Sequence, residues 1–251
     1  MTEKLPRDYS PPCEALRGKT ILITGATRGL GRELALAVAQ HGALPLLLGR
    51  DVRRLEATAD DIARLGLPDP LLIPLNLEGA SVDDYAAVSA LIAERCGALD
   101  GLVLNAAQLG ELTTLENYDP VQWARVFQVN VHSQFLLLRA LLPRLRAAVQ
   151  SSIVFTSSSV GRRARAYWGA YAVSKFALEG LMQVAADELS AGSSVRANSL
   201  NPGRMRTRMR ALAYPAENPE TLPAPSAVTP AFIYLLSDAS RQHQGVAFEL
   251  G

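Results

Sequence analysis

The chain has 251 residues, which suits one large α/β domain or two small ones, and about half of it (49%) is apolar, enough for a substantial core. A formal charge of +1 argues against a nucleic-acid-binding field or an acidic tail. Two cysteines, Cys13 and Cys96, offer neither a disulfide framework nor metal-ligand spacing, and no apolar run reaches the ~18–20 residues that span a bilayer.

Residues 1–17 read as an irregular arm, because Pro6, Pro11 and Pro12 exclude a regular helix. The same stretch mixes charges and lacks an apolar signal core, so a reduced, soluble, cytoplasmic protein is expected. Short apolar runs then alternate with helical spacing. The runs at 20–24, 44–48, 71–75, 100–104, 152–156, 194–200 and 246–250 predict seven strands. Pro45 suits the beginning or edge of its strand. Helices are expected to about His41, over 51–65, 81–96, 168–190 and 226–237, with one long amphipathic helix from Pro120 to Ala148. A Pro-rich stretch from Asn201 to Pro225 interrupts the rhythm. Strands alternating with helices imply parallel pairing through right-handed crossovers. The expected fold is therefore α/β: a single doubly wound Rossmann-like domain over 18–251, its seven-stranded parallel sheet flanked by helices on both faces.

Directly after the first of these strands stands T-G-A-T-R-G-L-G, residues 24–31. A glycine turn from strand into helix lets backbone amides approach a pyrophosphate at the positive helix N-terminus. Gly25 would make the turn, Gly29 permit close approach and Gly31 permit tight helix packing. Thr27, Arg28 and Leu30 complete the candidate cofactor loop. At the end of the second strand an acid would mark NAD, by accepting from the ribose hydroxyls. Gly49 stands there instead, followed by Arg50. Arg28 and Arg50 together suit a 2′-phosphate, and a charge-assisted bond of about 1.5–3 kcal/mol gives roughly tenfold or greater discrimination. NADP(H) is the expected cofactor, although Asp51 offers a competing ribose ligand.

The chain carries 22 arginines and three lysines, Lys4, Lys19 and Lys175. Lys175 follows Tyr171 by four residues, so the two share one helix face. Reducing a carbonyl requires a proton donor beside its oxygen, and a free tyrosine titrates near ~10. An ammonium about 5 Å away, at an effective dielectric of ~20, contributes roughly 3 kcal/mol toward the phenolate, or about two pKa units. Lys175 can also bond a nicotinamide ribose hydroxyl. Ser158, thirteen residues before Tyr171, is placed to polarise the carbonyl. The histidines, His41, His132 and His243, form no Ser-His-Asp or metal constellation.

With these motifs in this order, residues 18–250 resemble the short-chain dehydrogenase/reductase family, most closely its bacterial YciK-type branch. The resemblance implies a catalytic set of Asn130 (in Q-V-N-V), Ser158, Tyr171 and Lys175, with Asn130 fixing a water that links Lys175 to solvent. It makes Pro202, Gly203 and Thr207 the P-G-x3-T cofactor segment. Asn76 and Leu77 fall on its adenine-contacting pair. Asn105 and Ala106 stand within L-N-A-A, where the family has N-N-A-G, so Leu104 and Ala107 alter the strand-end packing. The implied activity is hydride exchange between NADP(H) and a carbonyl or secondary alcohol, with a 3-oxoacyl thioester favoured. A dinucleotide sensor without turnover is the alternative, but it would be expected to have lost the tyrosine or the lysine. Arg162, Arg163 and Arg165, with Arg204, Arg206, Arg208 and Arg210, read as solvated or intersubunit ion pairs. Their sharper reading is a basic rim for an anionic substrate or an acyl carrier protein. Apolar residues on several sides of the 171–189 helix (Phe176, Leu178, Leu181, Met182, Val184 and Leu189) predict a homodimer or homotetramer.

Overall fold

The computed structural model describes residues 2–5 and 9–250. Seven strands form where the apolar runs place them: β2 (Thr20–Thr24), β3 (Leu44–Gly49), β4 (Leu71–Pro74), β5 (Gly101–Leu104), β6 (Ser151–Thr156), β7 (Val195–Asn201) and β8 (Ala247–Leu250). An eighth strand, β1 (Thr2–Leu5), corrects both the expected count of seven and the irregular arm. It pairs in parallel with β8, Leu5 opposite Leu250. The arm's composition hides this because four edge residues need no alternation of their own: β8 supplies an open row of backbone groups, and Leu5 is buried. Pro6 lies outside the described residues. Further along, Leu16 is fully buried and its amide donates to the His41 carbonyl, so this part of the arm is packed on the body.

Among the described residues the eight strands all run parallel, in the order β1-β8-β7-β6-β5-β2-β3-β4. The helices are α1 (Gly29–Gln40), α2 (Val52–Arg64), α3 (Val82–Arg95), α4 (Pro120–Phe127), α5 (Ser133–Arg146), α6 (Gly169–Glu188), α7 (Arg208–Ala213) and α8 (Thr229–Leu236). Strand alternation sends neighbouring side chains to opposite layers. Ile21 and Ile23 pack with α1, α2 and α8, whereas Leu22 packs with α3, α5 and α6. Local chemistry fixes the helix starts. Asp51 caps α2 by accepting from the Arg54 amide, and Ser81 with Asp84 closes a capping box on α3.

The predicted long helix from Pro120 runs unbroken to Arg146, but it widens in the middle. Between α4 and α5 the chain takes a π-helical turn over Gln128–His132, with Asn130 at its centre. Such wide turns re-aim side chains and gather at functional sites. The crossover from β2 runs outward to β3 and β4 and then returns to β5, which pairs with β2 on its other side. That reversal opens a crevice at the carboxyl ends of β2 and β5, where ligands bind in doubly wound sheets.

Candidate active site

A cleft of about 1700 Å³ occupies this crevice. It exceeds the 300–1,000 Å³ of an ordinary small-molecule pocket, leaving room for a dinucleotide and a second ligand together. The glycine loop forms its floor. Gly25 has φ +71°, the left-handed region, and a Cβ added at Gly31 would overlap the Gly25 carbonyl. Asn105 fastens the loop from β5: its Nδ2 donates to the Thr24 carbonyl at 3.0 Å, and its amide and that of Ala106 donate to Thr24 Oγ1, each at 2.9 Å. Thr27, Arg28, Gly29, Leu30, Arg50, Asn76, Leu77, Pro202, Gly203 and Thr207 also line the cleft.

Arg28 is held below its ordinary pKa, first by burial and then by the charges of Arg208, Arg54 and Arg50, with Asp51 opposing. Several cations therefore act on one place, where an anion such as a phosphate would relieve the repulsion. Arg208 joins this group from α7, far along the chain, and nothing in local spacing predicts it. Asp51 is no ribose ligand in this geometry: it caps α2, and its carboxylate pairs with Arg54 Nε at 3.1 Å. An acid at position 49 is excluded by packing as well, because a Cβ there would sit 2.6 Å from Thr27 Cγ2. The residues present thus fit a dinucleotide carrying an extra phosphate.

At the other end of the cleft, α6 presents Tyr171 and Lys175 on one face, with the ammonium 5.8 Å from the ring centroid. Both side chains are buried, and Lys175 Nζ donates to the Thr156 carbonyl at 2.6 Å. Ser158 stands opposite, at the start of the single 3₁₀ turn Ser159–Gly161 that follows β6. Burial pushes the Tyr171 phenol up to about 12, with a hydrogen bond to Ser158 pulling the other way. Burial also pushes Lys175 down to about 8, and the Glu179 carboxylate opposes that. This reverses the expectation that Lys175 lowers Tyr171. The Coulomb figure treated the pair as well solvated, whereas here loss of hydration disfavours both charged forms. At neutral pH Tyr171 accordingly keeps its proton.

Asn130 lies behind the cleft wall. Its Oδ1 accepts from the Gln108 amide at 2.7 Å, and its Nδ2 donates to the Gln108 carbonyl at 2.9 Å and to Ser174 Oγ at 3.0 Å. The side chain thus fastens the loop that leaves β5 to the helix bearing Lys175, a contact across three elements that no sequence spacing reveals.

The arginine rim needs correcting. Arg162 points inward, bonded to Glu179 Oε1 at 3.2 Å and to the Phe248 carbonyl at 2.9 Å. Arg210 forms a two-point pair with Glu217 at 2.6 and 2.7 Å and stacks on Tyr214. Arg165, Arg204, Arg208 and the paired Arg210 do line the cleft. The wall beside Tyr171 is apolar instead, built from Leu109, Val160, Trp168 and Met209. Trp168 stands 5.8 Å from the Tyr171 ring and 6.0 Å from that of Tyr214. One of only two tryptophans, placed three residues before the tyrosine, was the available sequence clue to this wall.

The sequence model of the short chain dehydrogenases matches residues 19–218. Among curated relatives, the Escherichia coli K12 oxidoreductase YciK is 42% identical over 241 residues, covering 96% of this chain and 95% of that protein. A short chain dehydrogenase from Pseudomonas syringae has a solved structure with TM-score 0.95 and 50% identity, covering 96% of this chain and 98% of that one. One from Escherichia coli CFT073, solved in complex with NADPH, has TM-score 0.93 and 43% identity, covering 95% and 99%.

Proposed function

Because the chain belongs to the short chain dehydrogenase family, we propose that it is an NADP(H)-dependent oxidoreductase acting on a carbonyl or secondary alcohol. The observation that carries this is the placement of Ser158, Tyr171 and Lys175 at one end of a cleft whose other end gathers Arg28, Arg50 and Arg208. The Escherichia coli relative solved with NADPH supports the same cofactor. When bound, the nicotinamide supplies or accepts the hydride. Arg28, Arg50 and Arg208 hold the 2′-phosphate, and the glycine loop receives the pyrophosphate. Ser158 donates a hydrogen bond to the substrate oxygen and polarises the carbonyl. Tyr171, protonated at neutral pH, gives its phenolic proton to that oxygen as negative charge develops there. Lys175 stabilises the phenolate left behind and holds the nicotinamide ribose. Asn130 acts as a positioning residue, through Ser174 and Gln108.

The apolar wall of Leu109, Trp168 and Met209 favours a carbonyl flanked by a bulky hydrocarbon or acyl group, an acyl thioester among them. We also propose a cytoplasmic homodimer or homotetramer. Leu178, Met182 and Leu189 turn into the core, but Phe135 on α5 and Val173, Phe176 and Val184 on α6 remain exposed. The function is tested by following NADPH oxidation with a panel of ketones, aldehydes and acyl thioesters. Tyr171→Phe should lower turnover at least ~100-fold with NADPH affinity retained, a loss of about 2.7 kcal/mol in transition-state stabilisation. Tight NADPH binding with no turnover on any member would favour the sensor reading.

A further inference from the structure

Glu179 is a buried carboxylate that the reaction as described does not use. It lies on α6 one turn beyond Lys175, so Tyr171, Lys175 and Glu179 share one face. Ser157 Oγ donates to its Oε1, Ser199 Oγ donates to its Oε2 at 2.7 Å, and Arg162 Nε donates to Oε1 at 3.2 Å. Arg162 reaches onward to Glu249 at 3.0 Å and to the Phe248 carbonyl, both on β8. Charges therefore alternate from the cleft to the last strand: Lys175, Glu179, Arg162, Glu249.

A buried ion pair is poor glue, since well-packed apolar side chains in its place are often as stable or more so. Two features give this pair another use. Ser157, which it grips, is the direct neighbour of Ser158. Glu179 is also the buried carboxylate one helical turn from the buried Lys175, on the same face of α6. We propose that Glu179 is a positioning residue of the reaction: it fixes Ser157, and through the chain Ser158, and supplies the counter-charge beneath Lys175, while Arg162 anchors it to β8. Around Lys175 the titratable groups of its own helix are Tyr171 and Glu179. The elements packed against it add neutral Thr156 and Ser158 from β6 and its turn, neutral Ser199 from β7 and neutral Asn130 from the π turn, with Arg162 behind Glu179.

The proposal rests on the Ser-Tyr-Lys reading of the cleft, but its test does not need turnover. With three lysines in the chain, a ¹³Cε-lysine NMR titration resolves Lys175, assigned by the signal lost in Lys175→Arg. Glu179→Gln keeps the shape and the acceptor oxygen but removes the charge. It should move the Lys175 midpoint down by at least about half a pH unit. Arg162→Met leaves Glu179 uncompensated and should move the midpoint up, with Arg162→Lys restoring it. If the wild type turns over a carbonyl, the alkaline fall of kcat should move in the same two opposite directions, with little change in KM. A merely structural staple would lower kcat at every pH without moving either midpoint. An unchanged Lys175 midpoint in Glu179→Gln, or shifts of the same sign in both charge variants, overturns the proposal. If one variant fails to fold, the other together with Arg162→Lys still decides it. Absence of turnover alone counts against the enzyme reading and leaves the NMR result to judge Glu179.

Discussion

Gly161→Ala offers a sharp test of how finely Lys175 is placed. Gly161 touches no substrate in the proposed reaction. A methyl group there would nonetheless lie 2.7 Å from Lys175 Cβ and 3.1 Å from its carbonyl carbon and oxygen. Ordinary carbon contacts are about 3.5–4.0 Å, so the two segments must part by roughly 0.8 Å or more. Neither neighbour is the free end of a flexible side chain: one is backbone and the other a Cβ, so the movement falls on α6 itself. Nζ would then leave its 2.6 Å contact with the Thr156 carbonyl. A displacement near 1 Å costs on the order of 100-fold in rate, and overpacking of this kind costs about 1–3 kcal/mol of stability. We expect kcat for NADPH-dependent reduction to fall ~30–100-fold, with a melting temperature lowered by several degrees. Gly79→Ala, in the turn before α3, is the control. It faces open space without a left-handed backbone, and should change stability by less than ~0.5 kcal/mol with kcat unchanged. Wild-type kcat in Gly161→Ala would refute the claim that catalysis depends on the position of Lys175.

Stability should also depend on pH through Lys175. Its pKa falls from 10.5 to about 8 on folding, so between those values the unfolded chain binds more protons and the unfolding free energy rises with pH. The opposing slope from Tyr171, whose pKa is raised from 10 to about 12, begins only above about pH 10. The full penalty, roughly 3 kcal/mol, therefore applies below pH 8. Lys175→Met should accordingly be ~1–2 kcal/mol more stable than wild type at pH 7 in urea melts, after allowing for the lost bond to Thr156, and should lose that advantage by pH 10; equal stability at pH 7 would contradict the buried-ammonium account. Arg208→Ala should weaken NADPH binding about tenfold and leave NADH nearly unchanged by fluorescence titration, whereas equal losses would place Arg208 away from the 2′-phosphate. Light scattering should give a mass of at least twice 26.9 kDa, and Phe176→Glu should lower it if α6 forms the interface.

Local spacing carried most of what the sequence alone determined. Largely apolar runs of five to seven residues marked seven strands, because a buried parallel strand tends to be apolar on both faces. The glycine loop, Tyr171 with Lys175, and Ser158 were legible for the same kind of reason: each depends on backbone geometry within one turn or helix, where residue spacing fixes direction. Tertiary structure decided whatever depends on a partner distant in the chain. β1 exists because β8 offers an edge, and the π turn around Asn130 meets the backbone of Gln108. Arg208 swings from α7 toward Arg28, and Arg162, one of a run of apparently solvated arginines, points inward because Glu179 and the end of β8 wait there. Even the sign of the Tyr171 shift belonged to the fold, since a charge at a known spacing attracts, but only burial shows whether water is present to compete.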